Sequence, residues 1–282
     1  MPEGHTLHRL ARDLTDAFAG RTVSVGSPQG RFADSAALLD GQVLESAESW
    51  GKHLFIGFPD DRFVHVHLGL YGTFAVHPDV EEVPEPVGQV RLRLVARDAR
   101  GSSYADLRGA TACDLVTREQ RDAVLARIGP DPLRLDQDPG RAWERIRRSR
   151  SAIGGLLMDQ SVLAGVGNVY RAEVLFRHRT HPLRPGNTLQ VSRWTAIWDD
   201  LVGLMAEGVR TGRIDTVRPE HTPEAMGRPP RADDHGGEVY VYRRHGQPCL
   251  VCGTKVRTDV LQTRNVFWCQ RCQPTFRSRA LR

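Results

Sequence analysis

Four of the five cysteines lie in two Cys-x-x-Cys pairs that are separated by sixteen residues. Each pair can direct two thiolates to one metal ion, and the spacer is long enough to form a β-hairpin. Because four thiolates leave no open position for water, the spacing predicts one structural Zn²⁺ without a catalytic role. The predicted ligands are Cys249, Cys252, Cys269 and Cys272.

The charge of the chain is distributed unevenly between its two halves. Residues 1–140 contain 15 basic and 21 acidic residues, whereas residues 141–282 contain 24 basic and 13 acidic residues. This asymmetry predicts a polyanionic partner for the second half, although a solvated surface gives the same composition. In the spacer between the cysteine pairs, we favour phosphate contact over simple solvation for the basic side chains, among them Arg264.

A short glycine-rich segment, Gly165-Val-Gly-Asn168, directly precedes a run with helical apolar spacing. Glycines permit a tight turn and close backbone approach, and the N-terminus of a helix attracts anions. We expect Asn168 either to cap this helix or to donate to a phosphate, although an ordinary corner between two helices gives the same pattern.

Two further positions carry groups that suit reaction chemistry. Removal of Met1 would leave Pro2 as a terminal secondary amine beside the carboxylate of Glu3. Such an amine titrates near about 8 and can form a Schiff base with a sugar carbon, while a nearby acid moves protons. Lys52 is the only lysine of the first half and follows Gly51. It is either a solvated residue of a turn or a contact to phosphate or sugar.

The apolar spacing predicts an α+β chain. A helix is expected over 6–18, followed by an antiparallel β-sandwich of short strands, with 77–88 as a surface loop. Beyond residue 140 the period is helical, and the last block consists of short strands around the cysteines. The strands are expected near 54–56, 63–68, 73–76 and 90–94, and the helices near 142–150, 153–159, 169–176 and 194–209.

These patterns divide the chain into four segments. The β-sandwich is assigned to 1–128, and a Pro-, Gly- and Asp-rich linker to 129–140. A helical domain with a mobile loop at 213–237 is assigned to 141–237, and the cysteine block to 238–282. The charged start of the chain lacks the apolar stretch of a secretory signal, and no run approaches the ~18 residues of a membrane span. We therefore expect a cytoplasmic monomer without a membrane partner.

Taken in order, several motifs resemble those of the formamidopyrimidine-DNA glycosylase and endonuclease VIII family of bifunctional base-excision repair enzymes. They are MPEG at the start, WGKHL near residue 50, HLGLYG at 67–72, LMDQSVLAGVGNVYRAEVLF at 157–176 and the cysteine block ending FWCQRCQ. The resemblance covers nearly the whole chain. It implies a β-sandwich catalytic domain, a helix–two-turn–helix domain and a C-terminal zinc finger.

The resemblance also implies roles for individual residues. Pro2 resembles the nucleophile that attacks C1′ of the damaged nucleotide, and Glu3 resembles the acid/base that assists opening of the sugar ring. Lys52 resembles the lysine that holds the phosphate beside the lesion. Asn168 and Arg264 resemble the residues that grip the DNA backbone around a flipped base.

The resemblance also implies side chains that insert as a wedge between the stacked bases. Leu70 and Tyr71 are suitable apolar side chains for this insertion. This pair, and the lack of a phenylalanine in 106–110, resemble the endonuclease VIII branch, which implies oxidised pyrimidines as substrates. Thr6 and Gly69 depart from the pattern of well-known relatives, so lesion preference does not transfer directly.

The expected function is that of a DNA glycosylase and abasic-site (AP) lyase. It would act through a Schiff base at Pro2 and cleave the strand by β,δ-elimination. A glycosylase for oxidised purines and a non-catalytic, zinc-dependent DNA-binding protein are the alternatives. The expected partner is damaged duplex DNA with a flipped base, and single-stranded or bubble DNA stays open as a substrate.

Overall fold

The fold is that of a computed structural model, which describes residues 2–232 and 237–276. The chain divides into two compact units, Met1–Arg127 and Ile128–Arg282. The helices are α1 (Gly4–Phe18), α2 (Ala33–Leu39), α3 (Arg118–Leu125), α4 (Pro139–Ile146), α5 (Ile153–Leu156), α6 (Asn168–Arg177), α7 (Val191–Thr211) and α8 (Pro223–Met226). The strands are β1 (Arg21–Gly26), β2 (Gln42–Leu44), β3 (Ser46–Trp50), β4 (His53–Phe58), β5 (Arg62–His67), β6 (Thr73–Val80), β7 (Val90–Asp98), β8 (Gly101–Arg108), β9 (Ala112–Thr117), β10 (Arg257–Leu261) and β11 (Arg264–Trp268).

The first unit is a β-sandwich with one long helix. Its five-stranded sheet has the order β2-β1-β7-β8-β6 and its four-stranded sheet the order β3-β4-β5-β9, with antiparallel pairing throughout. Alternate side chains of both sheets, such as Leu92 and Leu94 in one and Val64 and Val66 in the other, form a single buried core. Cys113, the one cysteine outside the two Cys-x-x-Cys pairs, belongs to this core and is 2% exposed.

Helix α1 begins two residues earlier than its apolar spacing predicts. Leu7, Leu10 and Leu14 recur at helical spacing and are buried in the core of the sandwich. Glu3 occupies the N-cap position, and its carbonyl accepts a hydrogen bond of 3.0 Å from the backbone N–H of Thr6. The helix packs against β3 and β6, one strand from each sheet.

Part of the predicted surface loop 77–88 is a strand. β6 continues to Val80, and its pairing with β8 becomes irregular only between His77 and Val80. The proline at position 78 lies in this irregular stretch, where the loss of one backbone N–H is tolerated.

The second unit is a helical domain with a two-stranded hairpin, β10 and β11. One continuous apolar core contains side chains of α6 and α7 together with Tyr240, Phe267 and Cys269 from the cysteine block. The predicted α+β class, with a helical second domain and a zinc-finger hairpin, is confirmed. Among the described residues, no helix is both long and apolar enough to cross a membrane.

Two predicted connecting segments contain hydrogen-bonded backbone. In 129–140, Gly129 donates to Gln160 at 2.8 Å, and the carbonyl of Pro130 accepts from Ala164 at 3.0 Å. In 213–237, the structure has a short 3₁₀ turn at Pro219–His221 followed by α8. Residues 233–236 lie outside the described residues, and the mobility of 213–237 and its role stay predictions.

Candidate functional site

The four cysteine sulfurs converge on one point of the second unit. All four Sγ atoms lie within 4.8 Å of one another, with 3.9 Å between Cys249 and Cys272 and 3.4 Å between Cys252 and Cys269. A tetrahedral zinc ion with Zn–S bonds of about 2.3 Å separates its sulfurs by about 3.8 Å. The cluster therefore fits one structural zinc ion, which confirms the predicted cofactor.

Backbone turns and neighbouring side chains position these thiols. The N–H of Cys249 donates to the carbonyl of Thr254 at 2.9 Å, and Gly253 adopts the left-handed φ of +73° that closes the first pair. Burial acts to raise the pKa of Cys252, but hydrogen bonds from Thr254, Cys269 and Cys272 outweigh it and lower this pKa to about 6. Cys252 thus favours the thiolate that zinc requires, whereas burial raises the pKa of Cys249 to about 11 and also raises that of Cys272.

The hairpin lies directly against the N-terminus of α6. Gly167 is the N-cap of this helix, so Asn168 is its first residue and not its cap. The amide nitrogen of Asn168 donates to the carbonyl of Asn265 at 3.0 Å, next to the exposed Arg264. Asn168 and the strand that carries Arg264 are thus brought together, as a shared phosphate site requires.

A buried arginine joins the same contact. Arg171 is 1% exposed, and its guanidinium donates to the side-chain oxygen of Asn168 and, at 2.8 Å, to the carbonyl of Asn265. It orients the amide of Asn168 so that the oxygen faces inward.

A buried carboxylate anchors the chain that leads into the cysteine block. Glu173 is fully buried, and its two oxygens accept from the backbone N–H groups of Tyr240, Val241 and Tyr242 at 2.6, 2.9 and 2.8 Å. The hydroxyl of Thr216 donates to the same carboxylate at 2.7 Å. Three consecutive N–H groups form an anion-binding nest, here filled by a side chain of the protein itself.

Sequence reasoning did not single out Arg171 or Glu173. Every residue of α6 from Asn168 to Phe176 is buried, so two charged residues within that run require buried partners. Two charged residues within a largely apolar run are a signal in the sequence, but most of their partners lie far away along the chain.

In the first unit, Pro2 and Glu3 lie at the start of α1. Pro2 is half-buried and Glu3 is fully buried at the N-cap. The positive end of the helix dipole stabilises a carboxylate at this position. Burial lowers the pKa of His5 to about 4, with a further contribution from the positive charge of the N-terminus, so this neighbour is neutral at pH 7.

Lys52 and Gly51 form the two-residue turn between β3 and β4, where Gly51 has a φ of +60°. Three histidines lie on the sheet beside this turn. Nδ1 of His53 is 2.9 Å from Nε2 of His65, and the rings of His53 and His67 meet edge to face at 5.3 Å. Burial lowers the pKa of all three, that of His53 to about 4, and the charge of Lys52 lowers those of His53 and His67 further. All three are therefore neutral at pH 7.

Leu70 and Tyr71 lie at the tip of the loop between β5 and β6, with exposed fractions of 46% and 87%. Glycines on both sides make the tip narrow. Gly69 has a φ of +70°, and a Cβ there would lie 2.0 Å from Oγ1 of Thr111. A Cβ at Gly72 would lie 2.2 Å from the carbonyl oxygen of Leu68, which accepts from the N–H of Gly72. Two apolar side chains are thus presented to solvent on a tightly closed loop.

Three family models match the chain in the order of these features. The formamidopyrimidine-DNA glycosylase N-terminal domain matches residues 1–113, and the formamidopyrimidine-DNA glycosylase H2TH domain matches residues 128–219. The zinc finger found in FPG and IleRS matches residues 246–275.

Curated relatives cover the chain almost completely. Endonuclease 8 1 of Mycobacterium tuberculosis (strain ATCC 25618 / H37Rv) is 55% identical over 276 residues, which are 97% of this chain and 100% of the relative. Endonuclease 8 of Pectobacterium atrosepticum is 30% identical over 283 residues, again 97% and 100%. The chain belongs to the formamidopyrimidine-DNA glycosylase and endonuclease VIII family.

A solved structure has the same fold. The Lactococcus lactis Fpg in complex with abasic-site DNA aligns with a TM-score of 0.75 and 21% identity, covering 97% of this chain and 100% of that one. Members of the family are DNA glycosylases and AP lyases of base-excision repair, so the protein is an enzyme that acts on DNA. This confirms the predicted family and goes against the non-catalytic alternative. The roles of the individual site residues stay predictions.

Replacing Glu173 tests whether its charge holds the second unit together. In Glu173→Gln, the single amide oxygen cannot satisfy four donors, and the amide NH₂ faces backbone N–H groups. We expect the free energy of unfolding of the second unit to fall by about 2–4 kcal/mol. Hydrogen exchange at the amides of 240–242 measures the effect directly.

Thr216→Val is the matched control, because it removes one of the four donors and keeps the side-chain shape. Its expected loss is about 1 kcal/mol. Equal losses in the two variants, or unchanged protection of 240–242 in Glu173→Gln, would contradict the assigned role of the carboxylate.

Proposed function

We propose that the protein removes oxidised pyrimidines from DNA through a Schiff base at the amine of Pro2, and then cleaves the strand by β,δ-elimination. The observation that carries the proposal is the pairing of Pro2 with the buried carboxylate of Glu3 at the start of α1. Removal of Met1 frees the amine that the reaction requires.

In the first step, the amine nitrogen of Pro2 attacks C1′, the damaged base leaves with the electron pair of the glycosidic bond, and the proton of the amine passes to the departing base. Glu3 donates a proton to the ring oxygen as the C1′–O4′ bond breaks, which leaves an iminium ion between nitrogen and C1′. The position of Glu3, directly after Pro2 and buried at the N-cap of α1, supports this role.

Strand cleavage follows from the same iminium ion. Loss of a proton from C2′ expels the 3′ phosphate, and loss of a further proton expels the 5′ phosphate, so that both strand ends carry phosphate. Water then hydrolyses the bond between nitrogen and C1′, which releases the sugar fragment as an aldehyde and regenerates the amine. The histidines beside Lys52 are neutral at pH 7. In the proposed mechanism, the side chain of Lys52 supplies positive charge at this turn and holds a phosphate beside the lesion.

Binding of the DNA backbone is assigned to the second unit. The proximity of Asn168 to the strand of Arg264 supports a shared phosphate contact. The zinc ion holds the base of the same hairpin. Leu70 and Tyr71, exposed on their narrow loop, suit the space that a flipped nucleotide leaves in the stack. This wedge, together with the 55% identity to an endonuclease 8, supports pyrimidine lesions over purine lesions.

A panel of end-labelled duplexes tests the reaction and its substrate class. We expect incision at thymine glycol to be about tenfold faster than at 8-oxoguanine, with both new ends phosphorylated. A control duplex without a lesion should stay intact. Faster cleavage at 8-oxoguanine would contradict the pyrimidine preference, and a product that keeps an unsaturated sugar at its 3′ end would contradict δ-elimination.

The salt dependence of DNA binding tests the phosphate contact of Arg264. Replacing Arg264 with Ala should weaken binding to all sequences and reduce the slope of log K against log salt by about one. Arg257→Ala is the matched control, since Arg257 is also exposed on the hairpin and its side chain bonds to Gln270 at 3.2 Å. An equal change of slope in both variants would contradict a specific contact at Arg264.

A further inference from the structure

A cavity of about 280 Å³ opens beside the cysteine cluster of the second unit. Phe176 and Tyr240 form its apolar wall, with their rings stacked at 4.6 Å between centroids. Four arginines surround it: Arg177, Arg179, Arg218 and Arg271. The cavity thus combines aromatic side chains with guanidinium groups.

One of these arginines already has its partners. Arg177 donates to both oxygens of Asp200, at 2.6 and 2.7 Å, and to the carbonyl of Thr216 at 2.6 Å. The side chains of Arg179, Arg218 and Arg271 make no ion pair or hydrogen bond with any residue of 2–232 or 237–276. As far as the described residues are concerned, nothing occupies their N–H donors, which can therefore serve a ligand.

The backbone at Arg179 indicates that its side chain has a use. This residue follows the C-cap of α6 and has a left-handed φ of +49°. Glycine is strongly preferred at this position after a helix, because a Cβ there is unfavourable. An arginine in place of glycine, aimed into a cavity, is the kind of backbone outlier that marks functional sites.

The cavity is separate from the proposed DNA contact. Asn168 begins α6, whereas Arg177 ends it, and a ten-residue helix is about 15 Å long. Arg264 likewise begins β11, whereas Arg271 follows the end of that strand. The cavity therefore lies at the ends of α6 and β11 that are opposite to Asn168 and Arg264.

The metal centre does not account for the arginines. Zinc with four thiolates has a net charge of about −2, and Cys252 and Cys272 line the cavity. Glu220 also lies nearby, with its carboxylate 3.8 Å from Nδ1 of His221. These negative charges lower the positive electrostatic potential of the cavity. Sulfur is a weak hydrogen-bond acceptor, however, so the guanidinium groups can still donate to phosphate oxygens.

We propose that this cavity binds a phosphate monoester of about mononucleotide size. Arg179, Arg218 and Arg271 hold the phosphate, and the wall of Phe176 and Tyr240 receives the attached ring. Two sources carry this chemistry, a free mononucleotide and the phosphorylated end of a DNA strand. The assignment is independent of the reaction at Pro2.

Calorimetric titration of the zinc-loaded full chain with thymidine 5′-monophosphate tests the proposal. We expect saturable binding, with thymidine at least about tenfold weaker because it lacks the phosphate.

Arg179→Gly should weaken nucleotide binding about tenfold, while the melting temperature of the variant stays equal or rises, since glycine suits the left-handed backbone. Arg243→Gly is the matched control, because Arg243 is also exposed at a φ of +51° but does not line the cavity. Its affinity should equal that of the unaltered protein.

Competition with DNA identifies the source of the phosphate. Displacement by a 5′-phosphorylated duplex, but not by a 5′-hydroxyl duplex, assigns the site to DNA ends, and no displacement by either assigns it to free nucleotides. Equal displacement by both would overturn the proposal, because the cavity would then belong to the ordinary DNA contact. It would also be overturned by equal affinity for thymidine, by equal losses in the two glycine variants, or by no saturation at millimolar nucleotide.

Discussion

Within the second unit, one buried carboxylate accepts hydrogen bonds from four donors on two separate stretches of chain. Glu173 lies in the middle of α6, Thr216 lies near the start of the connecting segment 213–237, and Tyr240 to Tyr242 follow that segment. A buried charge is tolerated only when it is fully hydrogen-bonded, so the two stretches are held in place together. Tyr242 then packs edge to face on Phe267 of β11 at 5.5 Å, which extends the constraint into the hairpin.

The same helix therefore organises two kinds of site from its two ends. Its first residue, Asn168, bonds to the strand that carries Arg264, and its last turn forms one wall of the cavity beside the zinc ligands. The metal fixes the base of the hairpin, and Glu173 fixes the chain that enters it. The first unit supplies different groups, an amine and a carboxylate at the start of α1 and a lysine in a glycine-opened turn.

Features that depend on local spacing could be predicted from the sequence. The four cysteines, α1 and α6 follow from short-range patterns, and the ordered motifs identified the family. Glu173 and Arg171 could not be predicted in the same way, because Asn265 lies 94 residues from Arg171 and Tyr242 lies 69 residues from Glu173. The local pattern left Asn168 as either a helix cap or a phosphate donor, whereas its amide bonds to Asn265, a contact that only the tertiary fold creates. Arg179 was missed because a left-handed backbone at an arginine has no signature in composition.

The central claim of the proposed mechanism is that the amine of Pro2 is the nucleophile. Borohydride reduction of the enzyme on abasic-site DNA, followed by proteolysis and mass spectrometry of the cross-linked peptide, tests this directly. The mechanism predicts a chain without Met1 and a sugar remnant on the nitrogen of Pro2. A remnant on a lysine side chain such as Lys52, or an adduct in which Met1 is retained, would contradict it.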